Sequence, residues 1–564
     1  MIRSRVMVTK EIPLASRGMV AAEHRLGAQV GARILERGGN AVDAAVATAF
    51  AMTVVEPFMS TIAGSGTMLV HLERKGETVA LDFNGCAPSR AHESMYRLIG
   101  GVSDALFPWP RVEGDANVYG HRSVAVPGSV AGLLLALERY GTMEPADALA
   151  PAIALARDGF VTDWYLALHT GKFIEELLEF PETARTYLRN GRSIHRPPSM
   201  NPGDRVTYPD LARSLELIAR AGPDAFYRGA IAEAIAADMA AHGGLVSKTD
   251  LAAYTVRVSE PLRGRYHDLD LVFSPGATGG PTALEILNIL AEFPGERVGW
   301  ETPRGLHLRA EAVRRGFLDR FEHLGDPMHV KAPWERLASR DYARDVASEI
   351  RRARRPGGGG GRAPRQDPAA RRNGRGDVTD CTTHVCVVDR QRNMVALTHT
   401  AVSLFGSRIV VPGTGILLNN GMIWFDPEPG KPNSVAPGKR GLVNMVPALG
   451  FRKGEPYLTV GAPGGRKIVS AIPQVIANVA DNPRRSLQAA VEAPRLHTEG
   501  AELQVDDRVG EATLAALTRL GHAVVPKEEA YSTLDFARPI AIRVTRGGLE
   551  AGLDHLSAAA AAGY

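Results

Sequence analysis

Residues 382–400 read Thr-Thr-His-Val-Cys-Val-Val-Asp-Arg-Gln-Arg-Asn-Met-Val-Ala-Leu-Thr-His-Thr. This stretch consists of two β-prone runs separated by a short polar segment. The β-branched residues predict two strands, and the polar segment at 389–393 predicts the turn of a hairpin between them. Residues equally far from the centre, Gln391, then face each other across the strands. Thr382 and Thr400 are each nine residues from that centre, so the spacing places two threonine hydroxyls opposite each other at the open end.

The bulk composition indicates a large protein with a well-developed core. The chain has 564 residues, of which 45% are hydrophobic and 23% charged, so several domains or one large layered unit are possible. Its cysteines, Cys86, Cys381 and Cys386, are too few for a disulfide framework. The N-terminus lacks the apolar core of a signal peptide, and no apolar run is long enough to span a bilayer. We therefore expect a cytoplasmic protein without a membrane partner.

One segment, residues 351–376, carries the apparent basicity of the chain. It contains nine arginines, one aspartate and five successive glycines. Without it the formal net charge changes from +4 to −4. Since no aromatic residues are interleaved with the arginines, the segment gives no indication of nucleic-acid binding. Such a composition cannot form a packed core, which predicts a disordered linker or processing region before the hairpin.

A second pattern, residues 457–465, reads as a strand that ends in a glycine turn and leads into a helix from Arg466. Gly464 and Gly465 leave backbone N–H groups unobstructed at the positive end of the helix dipole, where a developing oxyanion could be held. By itself this pattern more often marks a tight turn. No HExxH or similar spacing of metal ligands occurs in the sequence, and we expect neither a metal nor another cofactor.

The order of these motifs resembles that of the γ-glutamyltransferase (glutathione hydrolase) family of N-terminal-nucleophile hydrolases, over nearly the whole chain. The landmarks are Gly38-Gly-Asn-Ala-Val-Asp-Ala-Ala-Val, Val126-Pro-Gly-Ser-Val-Ala-Gly, Asp250-Leu-Ala-Ala-Tyr, Leu287-Asn-Ile-Leu, Leu324-Gly-Asp-Pro, Thr382-Thr-His, Leu417-Leu-Asn-Asn, Pro437-Gly-Lys-Arg and Gly461-Ala-Pro-Gly-Gly. The resemblance implies a mixed α/β fold, a four-layer αββα sandwich with two mostly antiparallel sheets.

The resemblance also implies that the precursor cuts its own backbone between Cys381 and Thr382. Cleavage would give a large subunit, 1–381, and a small catalytic subunit, 382–564. The freed α-amine of Thr382 would then act as base for its own hydroxyl, because a hydroxyl is a poor nucleophile without one.

The same resemblance assigns roles to three further residues. Thr400 matches the second threonine of the family, which hydrogen-bonds the nucleophile. Gly464 and Gly465 match the turn whose amides hold the oxyanion. The implied product of attack on an amide is an acyl-enzyme, which passes its acyl group to water or to an amine.

The residues that contact glutamate in typical family members are largely replaced. The aspartate that binds the α-amine of the donor falls on Trp424, and an asparagine falls on Val402. Each lost charge-assisted contact removes ~1.5–3 kcal/mol. These changes predict an open, apolar pocket for a bulkier or less zwitterionic acyl group, with Arg90 as a possible substitute for the arginine that clamps the α-carboxylate. The candidate substrate-binding residues are Arg90, Val402, Gly421, Trp424, Val443 and Asn444.

Three functions remain open from the sequence. The first is an autoprocessed, threonine-dependent amidase or acylase whose donor is a small amide or peptide other than a plain γ-glutamyl compound. The second is a glutathione hydrolase or γ-glutamyltransferase that reads glutamate with other residues, and the third is a catalytically silent homologue that acts as a binding protein. A nucleophilic role for Cys381 is disfavoured because it would end the cut chain, and His384 is expected to pack in its strand. A higher oligomer is possible.

Overall fold

The computed structural model describes residues 9–103, 107–199, 201–294, 299–353, 381–531, 533 and 535–564. Most of the predicted linker, residues 354–376, lies outside these ranges. Its first three residues, 351–353, belong to the end of a helix and not to a linker.

The α-helices of the described residues range from four to 21 residues in length. They are α1 (Arg25–Glu36), α2 (Ala41–Val55), α3 (Ser129–Tyr140), α4 (Pro145–Asp158), α5 (Trp164–Lys172), α6 (Ile174–Leu178), α7 (Pro181–Tyr187), α8 (Pro209–Ala221), α9 (Asp224–Tyr227), α10 (Ala230–Ala241), α11 (Lys248–Ala253), α12 (Gly280–Ala291), α13 (Pro303–His323), α14 (Trp334–Leu337), α15 (Arg340–Ala353), α16 (Lys467–Asp481), α17 (Leu487–Glu492) and α18 (Glu511–Arg519). Helix α2 is apolar on all sides and wholly buried, and a capping box between Asn40 and Asp43 fixes its start.

The strands begin close to the N-terminus and end at the C-terminus. They are β1 (Leu14–Ala15), β2 (Met19–Ala22), β3 (Ser65–Leu72), β4 (Glu77–Asp82), β5 (Leu98–Val102), β6 (Pro110–Val112), β7 (Phe160–Val161), β8 (Arg205–Val206), β9 (Arg257–Ser259), β10 (Leu262–Tyr266), β11 (Leu269–Phe273), β12 (Thr383–Val388), β13 (Met394–Thr400), β14 (Val410–Val411), β15 (Ile416–Leu417), β16 (Ala448–Arg452), β17 (Glu455–Gly461), β18 (Leu496–His497), β19 (Glu502–Asp506), β20 (Ala523–Lys527), β21 (Ile540–Thr545), β22 (Gly548–Leu553) and β23 (Ala560–Gly563).

Two seven-stranded antiparallel sheets form the centre of the protein. The hairpin sheet has the strand order β23-β2-β12-β13-β3-β4-β9, and the glycine-turn sheet has the order β1-β22-β21-β17-β16-β11-β10. The first contains the predicted hairpin, and the second contains β17, which leads into the turn at Gly464 and Gly465. The two sequence patterns therefore lie on facing sheets.

Three apolar clusters define four layers. One cluster joins helices α1–α4 to the outer face of the hairpin sheet. A second joins α12, α13 and α16 to the outer face of the glycine-turn sheet. The third lies between the sheets and contains Leu69, Cys386 and Ala396 opposite Leu449 and Ile542. Since each sheet buries one face against helices and the other against its partner sheet, the predicted αββα sandwich is confirmed.

The hairpin has the predicted register. Thr383 pairs with His399 and Val388 with Met394, a ladder centred on Gln391. The sequence pattern of residues 20–34 predicts a single helix, and the structure differs from this prediction at its N-terminal end. Residues 19–22 form β2, which pairs with β12, and the helix begins only at Arg25.

Candidate functional site

The open end of the hairpin brings Thr382 and Thr400 together. Their Oγ1 atoms are 3.3 Å apart, with the Thr382 hydroxyl donating. That hydroxyl also contacts the carbonyl oxygen of Cys381, the residue before it. Thr400 Oγ1 donates to the same oxygen over 3.2 Å. Two hydroxyls therefore converge on the peptide bond between Cys381 and Thr382, which is intact in this structure.

The orientation of Thr400 is fixed by the backbone that follows it. The N–H of Val402 donates to Thr400 Oγ1 over 2.8 Å. A hydroxyl has one proton and two acceptor sites, so a Thr400 that accepts from Val402 and Thr382 has its proton free for Cys381. Val402 has φ +91°, a region that β-branched residues rarely enter and that commonly marks functional sites.

The glycine turn is shaped so that only glycine fits. Gly464 has φ +129°, and a Cβ there would lie 2.5 Å from Ala537 Cα. Gly465 has φ +53°, in the left-handed region that favours glycine. Within the part of the chain that the structure describes, neither amide N–H of this pair donates a hydrogen bond. Helix α16 begins two residues later, so these N–H groups lie at its positive end.

A cavity connects the hairpin to the glycine turn. Its lining residues are Cys381, Thr382, Thr400, Val402, Trp424, Asn444, Met445, Gly465 and Ile468. It offers about 10 Å³ to the centre of a water molecule, which is room for about one water. The uncut chain therefore does not show the predicted open pocket, which stays a prediction for the cleaved protein.

Among the predicted substrate-binding residues, the structure brings Val402, Trp424 and Asn444 to this cavity. No carboxylate lines it in the described part of the chain, so nothing there matches an α-ammonium group. Val443 lies directly behind, in an apolar cluster with Phe107, Trp109, Val402 and Trp424.

The other two predicted residues lie elsewhere. Arg90 is exposed, and its guanidinium donates to the carbonyl oxygens of Gly244 (2.7 Å) and Leu245 (3.3 Å). It does not line the cavity, because these carbonyls hold it at the surface. Gly421 supports the wall from outside, since a Cβ there would contact Ala125 at 2.7 Å and Trp424 at 3.7 Å.

The two histidines of the hairpin are buried and packed. His384 Nδ1 is 2.9 Å from Thr398 Oγ1, and burial lowers the pKa of His384 to about 3. His399 Nε2 is 2.7 Å from Ser129 Oγ, and burial lowers its pKa to about 4. Both rings are therefore neutral at pH 7, and the packing role expected for His384 fits its contacts.

Sequence reasoning missed a buried arginine behind the cavity. Arg320, on α13, donates to the Val443 carbonyl oxygen (2.6 Å), to Asn444 Oδ1 (3.2 Å) and to the Thr278 carbonyl oxygen (2.9 Å). It is fully buried. The signal in the sequence is that Arg320 lies three residues after Phe317 and four before Leu324, a helical spacing of apolar residues next to the Leu324-Gly-Asp-Pro landmark.

Two histidine–carboxylate clusters have the composition of metal sites. In the first, Asp238 contacts both His121 (3.0 Å) and His242 (3.3 Å), and the two rings are stacked at 16°. In the second, Arg314 donates to His522 over 3.2 Å and also pairs with Glu311. Neither cluster shares a residue with the cavity.

The chain is similar to known proteins over most of its length. A sequence model of the family described as gamma-glutamyltranspeptidase matches residues 27–564. The acylase ACY 1 proenzyme of Pseudomonas sp. (strain SE83) is 39% identical over 513 residues, which cover 90% of this chain and 88% of that protein. The glutathione hydrolase proenzyme of Escherichia coli (strain K12) is 36% identical over 533 residues, covering 92% and 88%.

A solved structure extends the similarity to the whole fold. Cephalosporin acylase from Bacillus halodurans has a TM-score of 0.84 and 28% identity, covering 100% of this chain and 98% of its own. Among the described residues, no helix combines the length and apolar character needed to cross a membrane.

Proposed function

This chain belongs to the gamma-glutamyltranspeptidase family, and from that premise we propose that it is an autoprocessed amide hydrolase or acyl transferase with Thr382 as its nucleophile. The supporting observation is the convergence of Thr382 and Thr400 on the carbonyl group of Cys381. The family supplies the class of reaction, and the hairpin supplies the residues that perform it.

Self-cleavage follows from this arrangement. Thr382 Oγ attacks the carbonyl carbon of Cys381, and Thr400 Oγ1 donates to the oxygen as negative charge develops there. The C–N bond then breaks, the proton passes to the Thr382 nitrogen, and an ester links Cys381 to Thr382 Oγ. Water hydrolyses this ester, leaving a carboxylate on Cys381 and a free α-amine on Thr382. The products are the subunits 1–381 and 382–564.

Turnover reuses the same groups. The free α-amine accepts the proton of the Thr382 hydroxyl as it attacks the amide carbonyl of the donor. The amides of Gly464 and Gly465 donate to the oxyanion, for which their unoccupied N–H groups are suited. The amine leaves with a proton, and water or an acceptor amine then takes the acyl group from Thr382.

The donor is an amide other than a plain γ-glutamyl compound. Val402, Trp424, Met445 and Ile468 give the cavity apolar walls, Asn444 is its main polar side chain apart from the threonines, and no carboxylate is present to bind an α-ammonium. The similarity to proteins named acylases supports the same conclusion.

The test is a panel of p-nitroanilides, one γ-glutamyl and several with apolar acyl groups, hydrolysed by the purified wild-type protein and by Thr382→Ala as blank. We expect cleavage into two subunits and a kcat/KM for an apolar donor at least tenfold above that for γ-glutamyl-p-nitroanilide. Preferred turnover of the γ-glutamyl donor would instead establish a glutathione hydrolase or γ-glutamyltransferase. An uncut chain without turnover would establish a silent homologue.

A further inference from the structure

Arg320 links three chain segments behind the cavity. It lies on α13 and donates to the carbonyl oxygens of Thr278 (2.9 Å) and Val443 (2.6 Å) and to Asn444 Oδ1 (3.2 Å). The segments it joins are already paired, because the Gly279 N–H donates to the Met445 carbonyl oxygen over 3.0 Å. The contacts of Arg320 with the Thr278 and Val443 carbonyl oxygens are those of a residue that supports the backbone. Its third contact, with Asn444, reaches a side chain that lines the cavity.

The charge of Arg320 is not neutralised locally. Its side chain is fully buried, and no carboxylate oxygen lies within 4.0 Å of its guanidinium among the described residues. Burial lowers the pKa of Arg320 to about 9, and the more distant Glu499 opposes this only in part. Buried charges are normally paired because their desolvation is costly, so an unpaired one at a proposed active site favours a role beyond packing.

The contact with Arg320 settles which way the Asn444 amide points. A guanidinium has five N–H donors and no acceptor, so the atom of Asn444 that it contacts must be the oxygen. The NH₂ group is consequently the end of the side chain left for the cavity, which Asn444 lines together with Thr382 and Trp424. No protein acceptor for this NH₂ group occurs in the described part of the chain.

We propose that Arg320 is a positioning residue that holds Asn444 with its N–H toward the acyl chain of the donor, so that donors with a hydrogen-bond acceptor there are preferred. This rests on the proposed function and adds a specificity rule to it. The acceptor can be a carbonyl or ether oxygen, whereas a methylene at the same place would cover the N–H and leave it unpaired. Sites that lose a required hydrogen bond discriminate strongly between such analogues.

The experiment compares matched donors. Two series of acyl p-nitroanilides are matched in chain length. The first series has a plain methylene chain, and in the second an ether oxygen or a carbonyl replaces one methylene at successive positions. We expect wild type to prefer the best oxygen-containing donor by about tenfold in kcat/KM, mainly through KM, because the contact exists in both the ground state and the transition state.

Four variants separate the role of Arg320 from simple support. Asn444→Ala and Asn444→Asp should both abolish the preference. The aspartate can still accept a hydrogen bond from Arg320, but it has no N–H to donate to the donor. Arg320→Met should reduce it, and Arg320→Lys should restore part of it. Arg309→Lys is the control, since Arg309 is also fully buried on α13 but bonds Asn478 outside the cavity.

The outcomes are distinct. The inference is wrong, and the proposed function stands, if Asn444→Ala keeps the tenfold preference. The same holds if this variant is cut and folded but loses activity on both donor series equally. If wild type is neither cut nor active on any donor, the proposed function fails and the inference fails with it. A reduced preference in Arg320→Met together with a wild-type preference in Arg309→Lys supports the positioning role, even if both variants lower the melting temperature. A wild-type preference in Arg320→Met contradicts it.

Discussion

The nucleophile end and the acyl wall of the cavity are built differently. At the nucleophile end, Thr382, Thr400 and the N–H of Val402 satisfy one another, and each has a defined partner. The acyl wall is formed by apolar side chains with Asn444 as an isolated polar group. Under the proposed function, the groups of this chain that carry out the reaction and the side chains that contact the donor share few contacts, so each region can be altered with little effect on the other.

Val402 is where the two regions meet. Its N–H orients Thr400, while its side chain forms part of the apolar wall. Its φ of +91° is unfavourable for a β-branched residue. Val402 therefore keeps the backbone conformation that orients Thr400, although a β-branched side chain disfavours that conformation. The same side chain fits the apolar wall.

The largest effect is expected from Thr400→Val, which damages only the nucleophile end. The variant removes the donor to the Cys381 carbonyl and leaves the Val402 N–H unpaired, and loss of one oxyanion donor typically costs about 10²–10³-fold. Self-cleavage, followed on denaturing gels over time, should slow by about this factor. Thr400→Ser retains the hydroxyl and should cut within about tenfold of wild type; equal rates for both variants would contradict the role of the hydroxyl.

Gly464→Ala tests the other half of the nucleophile end. The added Cβ would meet the Ala537 backbone at 2.5 Å, in a conformation with φ +129°, so the turn must shift and move its amides. We expect kcat to fall about 10²-fold. Gly454→Ala is the matched control, because Gly454 has φ +83° but open space around its Cβ position. A similar loss in both variants would point to general destabilisation.

Trp424→Asp changes the acyl wall and leaves the nucleophile end intact. A carboxylate at this place can bind an α-ammonium group, a charge-assisted contact of ~1.5–3 kcal/mol. The ratio of kcat/KM for γ-glutamyl-p-nitroanilide to that for an apolar donor should rise at least tenfold. Trp424→Asn removes the same bulk without adding a charge and should leave the ratio nearly unchanged; a rise in both variants would show that space alone limits glutamate.

The last test concerns stability and not activity, through the pH dependence of the hairpin strands. His384 is buried, and this burial lowers its pKa from 6.5 to about 3. The unfolded chain then binds a proton below pH 6.5 that the folded chain refuses, so stability is lost as pH falls from about 6.5 toward 3. The contribution is about 1.4 kcal/mol per pH unit for one group. His384→Gln should flatten the fall in unfolding free energy between pH 6 and 4.5, and an unchanged slope would contradict the assignment.

The parts of the site that sequence could predict depend on short-range spacing. Thr382 and Thr400 are 18 residues apart around a symmetric turn, so their approach follows from hairpin geometry. Gly464 and Gly465 follow from a strand-to-helix pattern in the same way. The short apolar run at residues 19–22 was ambiguous, because its periodicity fits both a strand and a helix. In the structure it forms an extra strand that pairs with β12.

The parts that could not be predicted depend on tertiary contacts. Arg320 reaches Asn444 across 124 positions of sequence, and no local pattern announces such a contact. Arg90 was expected near the donor, but the carbonyls of Gly244 and Leu245, distant in sequence, hold it at the surface. The closed cavity of the uncut chain likewise depends on how several segments pack around one peptide bond.

The most direct test of the central claim is the intact mass of the purified protein, measured under denaturing conditions for wild type, Thr382→Ala and Thr383→Val. Thr383 is a suitable control because its side chain faces Glu56 on the other side of the strand. Wild type and Thr383→Val should each give two fragments, with the smaller beginning at residue 382, and Thr382→Ala should give one uncut chain. Cleavage at another bond, or an uncut wild type, would contradict the account.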